Sequence, residues 1–184
     1  MNHIIIDTNV PVKAASVHLE DEVDRKCASE CLNYLEKLLH SSDILVLDSA
    51  GEILKEYRKN INMKADSSIA TVFLNWVYRS ILTERIERHT ITKTGENTYA
   101  EFPASVDLKH FDCSDRKFVA LSKAHPCHPP IVNGSDTDWW LYKDALEKEG
   151  IHVVFLCKEY MQAKCRGKKK QPKNISTNSQ QPHI

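Results

Sequence analysis

The stretch His3-Ile4-Ile5-Ile6-Asp7 constrains the fold of this chain more than any other. Three consecutive β-branched residues favour extended backbone, and a strand apolar on both sides of its pleat has to be covered on both faces. That pattern marks an inner strand of a parallel sheet rather than a half-exposed antiparallel one. Ile44-Leu45-Val46-Leu47 repeats it, Ile131-Val132 is a shorter version, and Ile151 to Leu156 is the last. Helical periodicities lie between them. One runs over about residues 20–39, with Val23, Cys27, Leu35 and Leu38 on one face. A second begins at Ser49 and buries Ile53, Leu54 and Tyr57, and Ser67-Ser68 opens a third carrying Ala70, Phe73, Leu74, Val77 and Ile81. Phe118, Val119 and Leu121 mark a helix after Asp115, and residues 138–148 form another that stops at Gly150. Residues 84–108 are less regular: a short strand is expected at Thr90 to Thr94 and a turn at Gly95-Glu96-Asn97. Strands alternating with helices predict an α/β chain, three layers α/β/α around a central, mostly parallel sheet. Right-handed crossovers then bring the strand C-terminal ends to one edge, where open α/β sheets bind ligands.

The 184 residues fit one domain, expected over residues 1–165, plus a tail over 166–184. A domain of that size buries roughly two-thirds of its unfolded surface and needs no disulfide or metal staple. The six cysteines are accordingly read as free thiols. No Cys-x-x-Cys pair occurs, and His125-Pro126-Cys127-His128 lacks a second half at zinc-finger spacing. Lys plus Arg and Asp plus Glu both number 25, but the balance is uneven. Six of the basic residues lie from Lys164 onward, with no acid among them, which leaves 19 basic against 25 acidic residues before that point. The basic, Gln/Asn/Ser-rich tail is expected to be disordered and could add salt-dependent affinity for RNA. Apolar runs are too short to cross a bilayer, and no basic segment leads into an apolar one at the start, so a cytoplasmic protein is expected.

Acids recur where the strands end. Asp7 closes the first and Asp48 the second, Asp136 and Asp138 follow the third, and Asp112 and Asp115 precede the helix leading into it. Glu52 and Glu56 lie one turn apart on the intervening helix and share a face. Parallel strands put Asp7 and Asp136 side by side. Any of these acids alone has a plain structural role as a cap or turn former. Gathered together they repel, and a hard divalent cation is the simplest compensation. Mg²⁺ or Mn²⁺, as one ion or two, prefers such oxygen ligands, and phosphodiester hydrolysis is the chemistry it supports.

These segments resemble, in order, the four motifs of PIN-domain nucleases. Ile4-Ile5-Ile6-Asp7-Thr8-Asn9-Val10 is similar to the first, and Glu52-Ile53-Leu54-Lys55-Glu56-Tyr57 to the second, with Glu56 at the acidic position. Asp112-Cys113-Ser114-Asp115-Arg116-Lys117-Phe118 resembles the third through Asp115. Ile131 to Asp138 resembles the fourth, with Asp136 as the usual acid and Asp138 as the frequent extra one. Asn133-Gly134-Ser135 stands where a Thr is often found, and residues 88–110 are longer than in minimal members. The resemblance spans residues 1–156 and implies Mg²⁺- or Mn²⁺-dependent cleavage of single-stranded RNA. Asp7, Glu56, Asp115 and Asp136 are then catalytic and metal-holding, with Asp138 as an auxiliary ligand. Many bacterial members of that family are toxins held by a protein inhibitor (an antitoxin), others process ribosomal RNA or degrade transcripts, and a homodimer is compatible with either.

Asn9, Lys13, Arg58 and Lys117 lie in or near the motifs as candidate RNA contacts, and Trp139 as a surface for stacking an unpaired base. Two other functions compete. A catalytically inactive module of the same fold would bind RNA or a protein partner without metal. A phosphatase using Asp7 as nucleophile would need a second Asp two positions on, and position 9 is Asn.

Overall fold

The computed structural model describes residues 1–16, 21–62 and 68–168. β1 (His3–Ile6) is followed by a short helix α1 (Asn9–Ala14) and the long helix α2 (Glu22–His40). β2 (Ile44–Asp48), α3 (Glu52–Asn60), α4 (Ile69–Ser80) and β3 (Ile86–His89) come next. A small antiparallel hairpin, β4 (Lys93–Gly95) with β5 (Thr98–Tyr99), precedes α5 (Arg116–Ala124) and β6 (Ile131–Asn133). α6 (Thr137–Leu141), α7 (Lys143–Lys148), β7 (Val153–Phe155) and α8 (Lys158–Lys168) complete the chain. The predicted α/β/α class is what forms. Five strands pair in the order β3-β2-β1-β6-β7, all parallel, with helices on both sides. α1, α2 and α4 pack on one another and α8 on α2, whereas α3 packs on α5.

The isoleucine run does what its composition dictates. Ile5 and Ile6 have no exposed surface, and their neighbours Leu45, Val46, Ile131 and Val132 are equally enclosed. Burying one such side chain is worth about 1.5–3 kcal/mol, so the central strands anchor the fold. Local signals fix the helix starts. Asp21 caps α2 by accepting the Asp24 amide at 2.9 Å, and Ser68 caps α4 by accepting that of Thr71 at 3.2 Å. α3 begins through Gly51, whose φ of +76° suits a residue without Cβ. Glu20 and Ser67, placed at two helix starts from the sequence, lie outside the described residues; of the tail expected over 166–184, residues 166–168 belong to α8 and the rest lie outside the described residues.

Two expectations give way, one on a strand and one on the cysteines. The strand expected at Thr90–Thr94 is displaced to Ile86–His89, where Leu45 to Asp48 of β2 pair with it in register. This is an edge strand whose polar residues hide its period, and only Ile86 in it is fully buried. Residues 93–99 instead form the hairpin, turning through Asn97 at φ +51°. The cysteines, in turn, are not all free. Cys27 and Cys157 form a disulfide that ties α2 to the turn before α8 across 130 residues. Sequence spacing offers no sign of a bond between such distant segments. No described helix is long and apolar enough to cross a membrane.

Candidate functional site

From β1 the chain steps to β2 and β3 on one side, then returns to place β6 and β7 on the other. The crevice between β1 and β6 is therefore the point where strand order reverses, the favoured ligand position in an open α/β sheet. Ile5 pairs with Ile131 and Ile6 with Val132, so Asp7 and Asp136 leave the sheet at the same edge. α3 brings Glu56 over them, its neighbour Tyr57 donating a hydrogen bond to the Ile6 carbonyl at 2.5 Å. The 3-10 turn Cys113–Asp115 supplies Asp115. One carboxylate oxygen each from Asp7, Glu56 and Asp115 lies within 4.8 Å of the others. Asp136 joins them on the wall of a cavity of about 590 Å³, together with Thr8 and Lys117.

The four acids are held very differently. Asp7, 3% exposed, accepts the Asn9 amide on Oδ1 at 3.2 Å and the side-chain amides of Asn9 and Asn133 on Oδ2, the latter at 3.1 Å. Glu56 accepts the Thr8 hydroxyl at 2.6 Å on one oxygen and the Lys117 ammonium on the other. Asp136 caps α6 by accepting the Asp138 amide at 2.9 Å. Asp115, 6% exposed, has a buried Oδ2 with no hydrogen-bond partner. Buried polar atoms are nearly always satisfied, so a partnerless carboxylate oxygen in a cavity wall calls for a missing ligand. Burial pushes the Asp115 carboxyl up to about 9, and the charges of Asp7 and Asp136 add to that. Burial likewise pushes Asp7 up to about 7, aided by Asp136 and Glu56 and opposed by the Asn9 and Asn133 hydrogen bonds. An all-oxygen set with one vacant acceptor, unfavourable while charged, fits a hard divalent cation. Asp7, Glu56 and Asp115, whose oxygens converge, are the residues able to hold it, with Asp136 alongside on the same wall.

No protein-family model, curated protein or solved structure matches this chain. The site has to be read from its own geometry.

Other expected contacts fare unevenly. Lys117 lines the cavity. Asn9 does too, but its amide is occupied within the protein: Oδ1 accepts the Gly134 and Ser135 amides at 2.7 and 3.1 Å, clamping the loop that carries Asp136. A Cβ on Gly134 would come within 2.9 Å of that oxygen, so only glycine lets the loop close. Lys13 is a correction. It is buried in an ion pair with Asp24 and lies over the Tyr160 ring, away from the cavity. Trp139 is another: with no exposed surface, it packs edge-on against Phe111 and Phe118 and cannot stack a base. The first of two adjacent aromatics at a helix start simply turned into the core. Arg58 is exposed and off the cavity wall, where Lys55 and Lys59 of the same helix stand instead. Asp138 is likewise not on that wall.

Several contributors escaped the sequence. Asn133 holds Asp7, Thr8 holds Glu56, and Tyr99 from the hairpin reaches the cavity with a buried hydroxyl that has no partner. Only Thr8, adjacent to Asp7, carried a local clue.

Two further groups of potential ligands are closed. His3 and His125 contact Glu87 at 2.8 and 3.0 Å. Because His125 Nδ1 accepts the Cys127 amide at 3.1 Å, its Nε2 carries the proton and donates to Glu87. Cys31 lies 3.7 Å from the Cys157 sulfur, fully buried, and burial pushes its thiol up to about 12, which keeps it unreactive.

Proposed function

We propose that the protein is a ribonuclease dependent on Mg²⁺ or Mn²⁺ that hydrolyses phosphodiester bonds of single-stranded RNA. The observation that carries this reading is the partnerless Oδ2 of Asp115 beside two more buried or half-buried acids at the switch point of the sheet. When bound, the cation lowers the pKa of a coordinated water and stabilises charge on the phosphate oxygens. The chain's own part is to prepare the place. Asn9 and Asn133 hold Asp7 against the repulsion of its neighbours, and Tyr57 ties α3 to the end of β1 so that Glu56 stays over the crevice. Lys55 and Lys59 on the cavity wall offer positive charge to a phosphate backbone.

The test incubates the purified protein with end-labelled single-stranded RNA and Mn²⁺, with EDTA and Asp115→Asn as controls. Cleavage is expected only for the wild type with metal. Equal cleavage by Asp115→Asn would refute the proposal, and RNA binding without cleavage or Mn²⁺ uptake would favour the inactive binding module instead.

A further inference from the structure

Resting on that reading, we infer that the centre takes a single divalent ion, and that the ammonium of Lys117 fills the place of a second cation beside Glu56. Lys117 is 5% exposed, unusual for a residue type that is almost never fully buried unless paired. Its Nζ contacts Glu56 Oε2 and the Ser114 carbonyl, and both Lys117 and Glu56 line the cavity. The ammonium therefore sits among the acids rather than on the rim, where Lys55 is exposed and pairs with Glu52 at 2.6 Å.

The division of the cavity follows from which oxygens are taken. At the Glu56 end both carboxylate oxygens already have donors, Thr8 and Lys117. At the Asp115 end an oxygen has none. With Glu52 already paired to Lys55 and Lys93, four carboxylates remain; two divalent ions would balance them at zero, and adding the ammonium would leave an excess positive charge. With one ion and the ammonium a single negative charge remains. The lysine thus makes a second divalent ion redundant at Glu56, and it offers a fixed positive charge to a phosphate oxygen entering the cavity. It belongs to α5, and its Nζ donates a hydrogen bond to the Ser114 carbonyl, so this charge is part of the chain at any metal concentration.

Manganese titration by calorimetry and by electron paramagnetic resonance tests this on the full chain. For the wild type we expect one Mn²⁺ per chain with the six-line spectrum of an isolated ion, and the same for Lys117→Arg. Lys117→Gln, of similar length but uncharged, is expected to bind its first ion about tenfold more tightly and to admit a second, with a spin-coupled spectrum. A coupled pair of ions in the wild type would overturn the inference while leaving the ribonuclease proposal intact. So would unchanged stoichiometry and affinity in folded Lys117→Gln. No Mn²⁺ uptake by the wild type would overturn the metal-dependent reading itself, and the wild-type measurement decides even if the Gln variant does not fold.

Discussion

Asp48 and Asp115 are both buried acids at the strand-end edge of the sheet, 1% and 6% exposed, yet they are opposites. Asp48 ends β2, and its two oxygens accept the amides of Glu52 and Ile53 at 2.8 Å each, the free donors at the start of α3. That helix start is a ready partner for a carboxylate, through both its amides and its dipole. Asp115 ends a 3-10 turn with an oxygen that nothing satisfies. Glu52, also on the cavity wall, falls with Asp48. Hydrogen bonds from Lys55 and Lys93 hold its carboxyl down to about 2. The lesson is that an acid at a strand end marks nothing by itself. What separates Asp48 from Asp115 is whether the fold has already supplied partners for both oxygens.

The largest expected effect sets the two apart on activity. Asp115→Asn should lower metal-dependent RNA cleavage by at least about 100-fold, the scale lost when a group acting on the transition state is removed. The same change should raise the melting temperature of the metal-free protein, because it removes a buried acid that folding must keep protonated. Asp48→Ala should do the reverse. Two backbone donors lose a charged acceptor, at a cost of about 2–4 kcal/mol in denaturant unfolding. Cleavage per folded molecule should be retained. If Asp48→Ala abolished Mn²⁺ uptake while keeping its stability, the contrast would be wrong.

How far the sequence showed this contrast can be followed residue by residue. The isoleucine strand and the alternation behind it led directly to the parallel sheet, because burial on both faces leaves a local mark. That topology put Asp7 and Asp136 side by side, whereas the choice of Glu56 over Glu52 rested on motif resemblance. Satisfaction is another matter. That Asn133 holds Asp7 from 126 residues away, or that Thr8 and Lys117 hold Glu56, depends on contacts between elements, which no local pattern encodes. The same holds for Cys27 with Cys157, for the turn of Trp139 into the core, and for the edge strand β3, whose polar residues look like loop.

The pH dependence comes next in size. Asp7 and Asp115 have folded pKa values raised to about 7 and about 9, so between pH 4 and these values the folded state binds more protons than the unfolded chain. Stability of the metal-free protein should therefore fall as pH rises from about 4 to 9, with the penalty complete above the folded values and absent below the unfolded ones. Millimolar Mn²⁺ should flatten the alkaline side of that curve, since the ion binds the deprotonated acids. Asp115→Asn should also flatten it, without metal. Thermal melts across pH, with EDTA or Mn²⁺, read all three, and a metal-free slope of the opposite sign would rule out the raised values.

The smallest effect concerns the rim rather than the floor. Lys59 is exposed on the cavity wall, and Arg58, its neighbour on α3, is exposed but off it. If the cavity guides an RNA backbone, the two cations should differ despite equal charge. Lys59→Ala should weaken binding of a single-stranded oligonucleotide a few-fold and reduce the slope of log affinity against log salt by about 0.7, the value for one phosphate contact on a single strand. Arg58→Ala should do neither. Fluorescence anisotropy over a salt series, using the cleavage-impaired Asp115→Asn background, separates them. Equal losses for both variants would mean that general surface charge, and not the cavity wall, attracts the strand.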